Sequence, residues 1–244
     1  MRKALPILAL VLVLVIAGCG SSSSSTSTSS TAAGSATSTA AGSSSSSSTS
    51  STASAPCRKV ALPAPRPTQN VPPPHLTLDP SRTYTVTAVT NCGTFAFTLD
   101  VKQSPKTSAS FYYLVKRGFY SGLTFHRVAA GFVIQGGDPA GNGSGGPGYT
   151  VVEAPPQNTQ YVLGDVAMAK TQSQPAGASG SQFFIVTASN VTQSAGLTPD
   201  YALAGKVVRG IAVVEKIGSL PTNPPQDGAP TTPVVMSSVT VSTS

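Results

Sequence analysis

The chain has 244 residues, of which 15 are Lys or Arg and 8 are Asp or Glu, so its formal net charge is +7. A basic balance of this kind can indicate binding to nucleic acid or to an anionic surface. Charged residues make up only 9% of the chain, however, and no run of Lys and Arg exceeds two neighbours. The composition therefore argues against a nucleic-acid partner, and the few acidic residues give little material for hydrolytic catalysis.

The first residues have the features of an export signal. Arg2-Lys3 supplies a positive start, and Leu5–Val15 is an apolar run that is shorter than a bilayer span requires. The run is followed by Ile16-Ala17-Gly18-Cys19, which resembles the cleavage box of bacterial lipoproteins. Residues 1–18 are therefore predicted to be a lipoprotein signal peptide, with Cys19 as the lipidation site. An ordinary secretory signal and an uncleaved anchor are the alternatives.

Residues 19–56 are predicted to form a flexible tether. Between Gly20 and Ala55 the chain contains only Ser, Thr, Ala and Gly. Such a segment cannot bury enough apolar area to offset the entropy of ordering. As a coil it would reach roughly 30–35 Å and hold the domain away from the membrane. Its dense Ser and Thr could also carry O-linked sugars.

Two cysteines remain after Cys19: Cys57 lies just past the tether, and Cys92 lies between two predicted strands. In an exported protein, an even number of such cysteines favours a disulfide, which would hold the start of the domain in place. Two free thiols and a metal site are the alternatives. The chain has only two histidines, His75 and His126, so a metal site has little support and none is predicted.

The globular part is predicted to be one domain over residues 81–244, about 160 residues, which is enough for one core. A Pro-rich connector, residues 57–80, precedes the domain and is expected to be extended and without regular structure.

The residue pattern of the domain predicts many short strands and two helices. Alternation over Arg82–Thr90 and Thr94–Leu99 indicates a hairpin. Ser104-Pro105 is a typical helix start, and this helix is expected to end at Gly118. Many short strands with two helices indicate an antiparallel barrel or sandwich. Further strands are predicted over Leu123–Val128, Phe132–Gly136, Asp165–Lys170, Gln182–Thr187, Tyr201–Val208 and Val234–Ser242, and a second helix over Gly210–Ile217.

The most informative motif sets one cation, Arg127, among apolar and aromatic side chains. It reads Phe125-His126-Arg127-Val128 and continues as Gly131-Phe132-Val133-Ile134-Gln135-Gly136-Gly137-Asp138. A second motif, Gly180-Ser181-Gln182-Phe183-Phe184-Ile185, follows further along the chain. The two motifs together resemble the core signature of the cyclophilin-type peptidyl-prolyl isomerases.

This resemblance implies a fold, an activity and a set of site residues. The fold would be mainly β, a closed eight-stranded antiparallel barrel capped by two helices, and the activity would need no cofactor. Arg127 would be the catalytic cation. Ile134 and Phe183 alternate with the site residues along their strands and are expected in the core. The residues implied to bind substrate are Phe132, Val133, Gln135, Ala169, Lys170, Gln182, Phe184, Leu197 and Tyr201.

The residues themselves suit this chemistry. Rotation about a prolyl peptide bond has a barrier of about 18–20 kcal/mol because it destroys amide resonance. At the twisted geometry the prolyl nitrogen regains a lone pair, and a donor that meets this lone pair only in the transition state would lower the barrier. Arg127 is always charged and carries a rigid set of donors. His126 is expected to be a structural histidine beside the site.

The expected partners are proline-containing exported polypeptides and, through the lipid anchor on Cys19, the extracytoplasmic side of a bacterial cell membrane. The chain is expected to act as a monomer. The chief alternative is a binding or chaperone module on the same fold, without useful turnover. An exported small-molecule-binding barrel or cell-wall anchor would require both motifs to be chance matches. A phosphate-binding loop at Gly141–Gly148 is excluded because no helix is expected to follow it.

Overall fold

The computed structural model describes residues 55–189, 191 and 196–244, which belong to one compact unit. The predicted signal peptide at 1–18, the lipidation site Cys19 and almost all of the predicted tether at 19–56 lie outside the described residues. Within the described ranges, no helix is both long enough and apolar enough to cross a membrane.

The described residues form a mainly β fold with two helices, as the sequence predicts. Helix α1 is Pro105–Lys116 and helix α2 is Ile211–Gly218. The strands are β1 Tyr84–Thr90, β2 Gly93–Leu99, β3 Phe125–Ala129, β4 Val133–Gly136, β5 Val151–Val152, β6 Asp165–Met168, β7 Ala178–Ser179, β8 Phe183–Val186, β9 Leu203–Arg209, β10 Thr222–Asn223, β11 Asp227–Pro230 and β12 Met236–Thr243.

The predicted hairpin, both helices and the longer strands are confirmed, with ends that differ by at most two residues. The four short strands β5, β7, β10 and β11 were not predicted. Strands β5, β7 and β10 have two residues each, which is too short for an alternating pattern, and β11 reads Asp-Gly-Ala-Pro, a composition that strands disfavour.

The expectation of a closed eight-stranded barrel is wrong. Ten strands form one sheet in the order β10-β11-β3-β4-β8-β6-β9-β2-β1-β12, and β5 pairs with β7 separately. Strand β11 pairs with β3 through Asp227 and Gly228, so it occupies part of the edge at which β12 would close a barrel. The segments that lead into β12 and β3 meet at one isolated bridge, Thr124 to Val235. No continuous ladder therefore closes the sheet within the described residues.

An aromatic cluster lies at the centre of the core, where α1 packs on the sheet. The ring of Phe111 stacks on that of Tyr120 with centroids 4.7 Å apart, and it meets Phe97 and Phe183 edge-on at 5.4 and 5.5 Å. Edge-on and offset pairs are the arrangements that aromatic quadrupoles favour. The buried Tyr120 hydroxyl donates to the carbonyl of Ser181 at 3.1 Å, so its polar atom is satisfied.

The Pro-rich connector lies against the domain and has neither helix nor strand, as its composition predicts. The backbone N–H of Arg66 donates to the carbonyl of Pro139, and that of Val71 donates to Pro147, both at 2.8 Å. The guanidinium of Arg66 also donates to the carbonyl of Phe119 at 2.9 Å. The connector is thus hydrogen-bonded along the glycine-rich loop.

The predicted disulfide between Cys57 and Cys92 is confirmed. It joins the start of the connector to the turn between β1 and β2. Beside it, the backbone N–H of Arg58 donates to the carbonyl of Asn91 at 2.9 Å, and the Asn91 side-chain amide donates back to the Arg58 carbonyl at 2.7 Å. The start of the connector is therefore held by one covalent bond and two hydrogen bonds.

We expect the double variant Cys57→Ser/Cys92→Ser to lose about 3–4 kcal/mol of unfolding free energy, because the cross-link restricts the unfolded chain over a long loop. The two cysteines are 35 residues apart. Guanidinium denaturation measures the difference. Reductant should lower the wild-type midpoint toward that of the variant and leave the variant unchanged, and equal stability of the two proteins would contradict the expectation.

Candidate active site

A β-bulge in β3 places the Arg127 side chain on the site face of the sheet. Phe125 pairs with Gly136 and Arg127 pairs with Gln135, so two steps along β3 match one step along β4. In a regular strand, residues two apart share a face. The extra residue at His126 breaks this rule: Phe125 points into the core, whereas Arg127 faces outward beside Gln135.

Nine of the predicted site residues line one cavity of about 200 Å³. They come from β3, β4 and β8, from the turn between β3 and β4, and from the loops after β6 and before β9. A second cavity of about 370 Å³ adjoins the first and shares Gln135, Ala169 and Lys170 with it. Gln182, the tenth predicted residue, lines the second cavity. The residues around the first cavity are Arg127, Phe132, Val133, Gln135, Ala169, Lys170, Phe184, Leu197 and Tyr201.

The base of the first cavity is apolar. Val133 and Phe184 are buried there, and the Phe184 ring meets Tyr201 edge-on at 5.3 Å. Below them, the buried Tyr161 donates its hydroxyl to the Tyr201 carbonyl at 2.6 Å and accepts the Tyr201 N–H at 3.0 Å. Burial raises the pKa of Tyr161 to about 12, so the hydroxyl stays protonated as a donor. Tyr161 was not predicted as a site residue, because it lies in a segment without periodicity.

The polar side of the cavity is a chain of hydrogen bonds. Arg127 Nη1 donates to Gln135 Oε1 at 3.2 Å, and Gln135 Nε2 donates to Gln182 Oε1 at 3.0 Å. Gln182 Nε2 donates onward to the carbonyls of Gly143 and Gly145 at 2.8 and 2.9 Å. Each amide therefore has a defined orientation, and the guanidinium is coupled to the glycine-rich loop.

Arg127 has one further partner that the sequence did not indicate. Its Nε donates to Oδ1 of Asp227 at 2.7 Å, and its Nη2 donates to Oδ2 at 2.8 Å. The two residues are 100 positions apart, and Asp227 lies in an unpredicted strand, so no local pattern could have joined them.

Comparison with known proteins agrees with this geometry. Residues 85–241 match the family model described as cyclophilin type peptidyl-prolyl cis-trans isomerase/CLD. This chain belongs to the cyclophilin family of isomerases. The matched region contains both sequence motifs and every residue that lines the first cavity.

Several cyclophilins resemble this chain over most of their own length. A peptidyl-prolyl cis-trans isomerase of Helicobacter pylori is 35% identical over 154 residues, which are 57% of this chain and 90% of that protein. Peptidyl-prolyl cis-trans isomerase A of Mycobacterium tuberculosis is 35% identical over 184 residues, which are 68% of this chain and 97% of that protein.

A solved cyclophilin type isomerase from Cryptosporidium parvum has the same fold. It superimposes with a TM-score of 0.58 at 29% identity, and the match covers 66% of this chain and 98% of that one. The crystal structure of that protein in the presence of the dipeptide Ala-Pro gives a TM-score of 0.57 at 30% identity, with 65% of this chain and 98% of that one covered.

Lys170 brings a second positive charge to the rim of this cyclophilin site. Its Nζ donates to the carbonyls of Gln174 and Thr171 at 3.2 and 3.4 Å and lies 5.5 Å from the centre of the Tyr201 ring. The ammonium is thus held by the loop and by a cation–π contact. Lys170 lines the cavity, but its ammonium group contacts the loop carbonyls and the Tyr201 ring.

His126 lies at the bulge beside the catalytic candidate. Its Nδ1 is buried and has no hydrogen-bond partner among the described residues. Burial is the main cause that lowers the pKa of His126 below its usual 6.5; the charge of Arg127 lowers it further, and Asp138 opposes both. The imidazole is therefore neutral near pH 7.

Within the described ranges, no group of three or more His, Cys, Asp or Glu could hold a metal ion.

The lowered pKa of His126 predicts a pH dependence of stability. As pH falls below about 6.5, the unfolded chain takes up a proton at this residue before the folded protein does. The unfolding free energy should therefore fall as pH falls from 7 toward 5. In His126→Gln this part of the decline should be absent. Urea denaturation at several pH values measures it, and parallel curves for the two proteins would contradict the expectation.

Proposed function

We propose that this cyclophilin isomerises Xaa-Pro bonds in exported polypeptides and that Arg127 is the catalytic residue. The observation that carries the proposal is the position of Arg127 beside Gln135, at a cavity that the buried Val133 and Phe184 also line. Isomerisation breaks no covalent bond, so a site that offers a fixed cation and an apolar surface is sufficient.

The proposed role of Arg127 is to stabilise the twisted peptide bond. Three of the five N–H donors of a guanidinium are engaged here by Asp227 and Gln135, within the part of the chain that the structure describes. Two donors are left for a ligand. In the twisted state the lone pair of the prolyl nitrogen can accept one of them, whereas in the planar ground state this lone pair belongs to amide resonance. The interaction therefore favours the transition state selectively.

The apolar residues would bind the prolyl ring. Phe132, Val133, Phe184 and Leu197 surround a cavity of about 200 Å³. The crystal structure of the Cryptosporidium parvum relative in the presence of Ala-Pro supports a proline-containing ligand for this fold. The Gln135 amide oxygen is engaged by Arg127, and one of its two N–H donors is engaged by Gln182. The other N–H would hold a substrate carbonyl.

We expect Arg127→Ala to lower kcat by a factor on the order of 10²–10³, because the variant loses a donor that acts in the transition state. KM should change little. A protease-coupled assay on Xaa-Pro peptides measures both constants. Arg209→Ala, which removes an exposed arginine at the end of β9, is the matched control and should keep wild-type activity.

Unchanged activity in Arg127→Ala would reject catalysis at this site. A wild-type protein that binds proline peptides without turning them over would instead support the alternative, a binding or chaperone module on the same fold. The proposed working unit is the single chain, because one chain supplies all ten predicted site residues to two adjoining cavities.

The proposed location is the extracytoplasmic side of a bacterial cell membrane, with a lipid anchor on Cys19. The apolar run Leu5–Val15, the cleavage box that ends at Cys19 and the Ser/Thr-rich segment after it support this proposal. The Cys57–Cys92 disulfide also supports it, since such bonds persist in oxidising compartments. There the enzyme would meet exported chains before they have folded.

We expect cells that express the full chain to incorporate labelled palmitate into it and Cys19→Ala to abolish the labelling, because acylation requires this thiol. Globomycin should block processing of the wild-type protein. Cys57→Ser serves as the control and should stay labelled. If Cys19→Ala carried as much label as the wild type, the anchor would be elsewhere or absent.

A further inference from the structure

Asp227 holds the guanidinium of Arg127 from outside the two sequence motifs. Its two carboxylate oxygens accept from Nε and Nη2 at 2.7 and 2.8 Å. Paired, nearly parallel hydrogen bonds of this kind define the plane of a guanidinium as well as its position. A single bond, such as the one from Nη1 to Gln135, would leave the group free to rotate about that bond.

The backbone at Asp227 is itself well restrained. Asp227 pairs with Ala129 and Gly228 pairs with Val128, and the N–H of Ala130 donates to the carbonyl of Gln226 at 2.7 Å. A Cβ on Gly228 would lie 2.6 Å from the backbone of Asn223, so this position admits only glycine. The carboxylate is thus presented by a fixed hairpin and loses little freedom when it binds Arg127.

The register explains why the carboxylate reaches Arg127. Asp227 is opposite Ala129, and Arg127 is two residues before Ala129 on β3, so the pair is a diagonal neighbour across the two strands. Diagonal neighbours on one face are within reach of long side chains. The bulge at His126 turns the Arg127 side chain onto this face, and Asp227 then binds its guanidinium there.

Stability alone does not account for the pair. The Arg127 and Asp227 side chains are 36% and 54% exposed. Ion pairs in such positions contribute little to folding, because water solvates both charges well. What the pair does supply is orientation. It occupies the Nε and Nη2 edge of the guanidinium and leaves the remaining Nη donors for the cavity that Arg127 lines.

We propose that Asp227 is a positioning residue for isomerisation, which fixes the plane of the Arg127 guanidinium so that its free donors meet the prolyl nitrogen. The inference rests on the proposed catalytic role of Arg127. Orientation of a reacting group before the chemical step lowers the barrier without new contacts to the substrate. Loss of Asp227 should therefore act on kcat rather than on KM.

Kinetics of the full chain test the inference. We expect Asp227→Ala and Asp227→Asn to lower kcat about fivefold to tenfold, with KM within about twofold of wild type. Asn keeps only one acceptor oxygen, so it cannot restore the paired geometry. Asp227→Glu keeps the carboxylate at an exposed position and should recover kcat to within about twofold of wild type.

Two controls separate positioning from a general loss of structure or charge. Lys206→Ala removes an ion pair of similar length, 2.8 Å between the exposed Lys206 and the buried Asp165, on the same sheet but away from both cavities of the site, and should leave kcat unchanged. Arg127→Lys replaces the planar fork with a point charge, which cannot be oriented by a paired carboxylate. In that background Asp227→Ala should change kcat by less than about twofold.

Exchange of the Arg127 Nε–H with water, followed by NMR, gives a readout that does not depend on activity. The hydrogen bond to Asp227 should protect this proton in wild type and in Asp227→Glu, and Asp227→Ala should expose it while the backbone spectrum stays that of a folded protein. Wild-type kcat in Asp227→Ala, or an unprotected Nε–H in wild type, would overturn the inference. If Arg127→Ala alone kept full activity, the catalytic assignment would fail instead, and the Nε–H result would still decide whether Asp227 orients the guanidinium.

Discussion

The site depends on the period-two alternation of β4 and β8, which divides adjacent residues between the core and the cavity. Phe183 and Ile185 pack into the main core, whereas Phe184 and Val186 belong to a smaller apolar cluster under the site. One face of these strands therefore packs in the main core, and the other face lines the cavity that would bind a prolyl ring. One interruption of the alternation, the bulge at His126, places the guanidinium of Arg127 on the same face.

The polar groups around Arg127 form one connected series of hydrogen bonds. It begins at the carboxylate of Asp227, passes through Arg127, Gln135 and Gln182, and ends at the carbonyls of the glycine-rich loop. Every member is a donor or acceptor with a fixed partner, and no step in the series transfers a proton. A site of this kind works through the placement of charge before the substrate arrives, which suits a reaction that consists of a rotation.

The longer strands, both helices, the disulfide and the grouping of the cavity residues could be predicted, because each leaves a local pattern or a motif in the sequence. The roles of Asp227 and Tyr161 could not be predicted, because each residue binds a site residue that is distant from it along the chain. The closed barrel was predicted wrongly for a related reason. The β10–β11 hairpin has no alternating apolar residues, and β11 contains Gly and Pro, yet the pairing of β11 with β3 decides how the sheet ends.

The Cys57–Cys92 bond also determines how the domain carries mechanical load. Residues 58–91 lie inside the loop that this bond closes, so a force applied before Cys57 passes through the two sulfur atoms and not along the connector. The hydrogen bonds of Arg66 and Val71 stay unloaded. Tension enters instead at the turn between β1 and β2, two strands that each have a neighbour on both sides. A pull from this end is therefore shared across the sheet, and the connector beside the glycine-rich loop keeps its place while the chain is under strain.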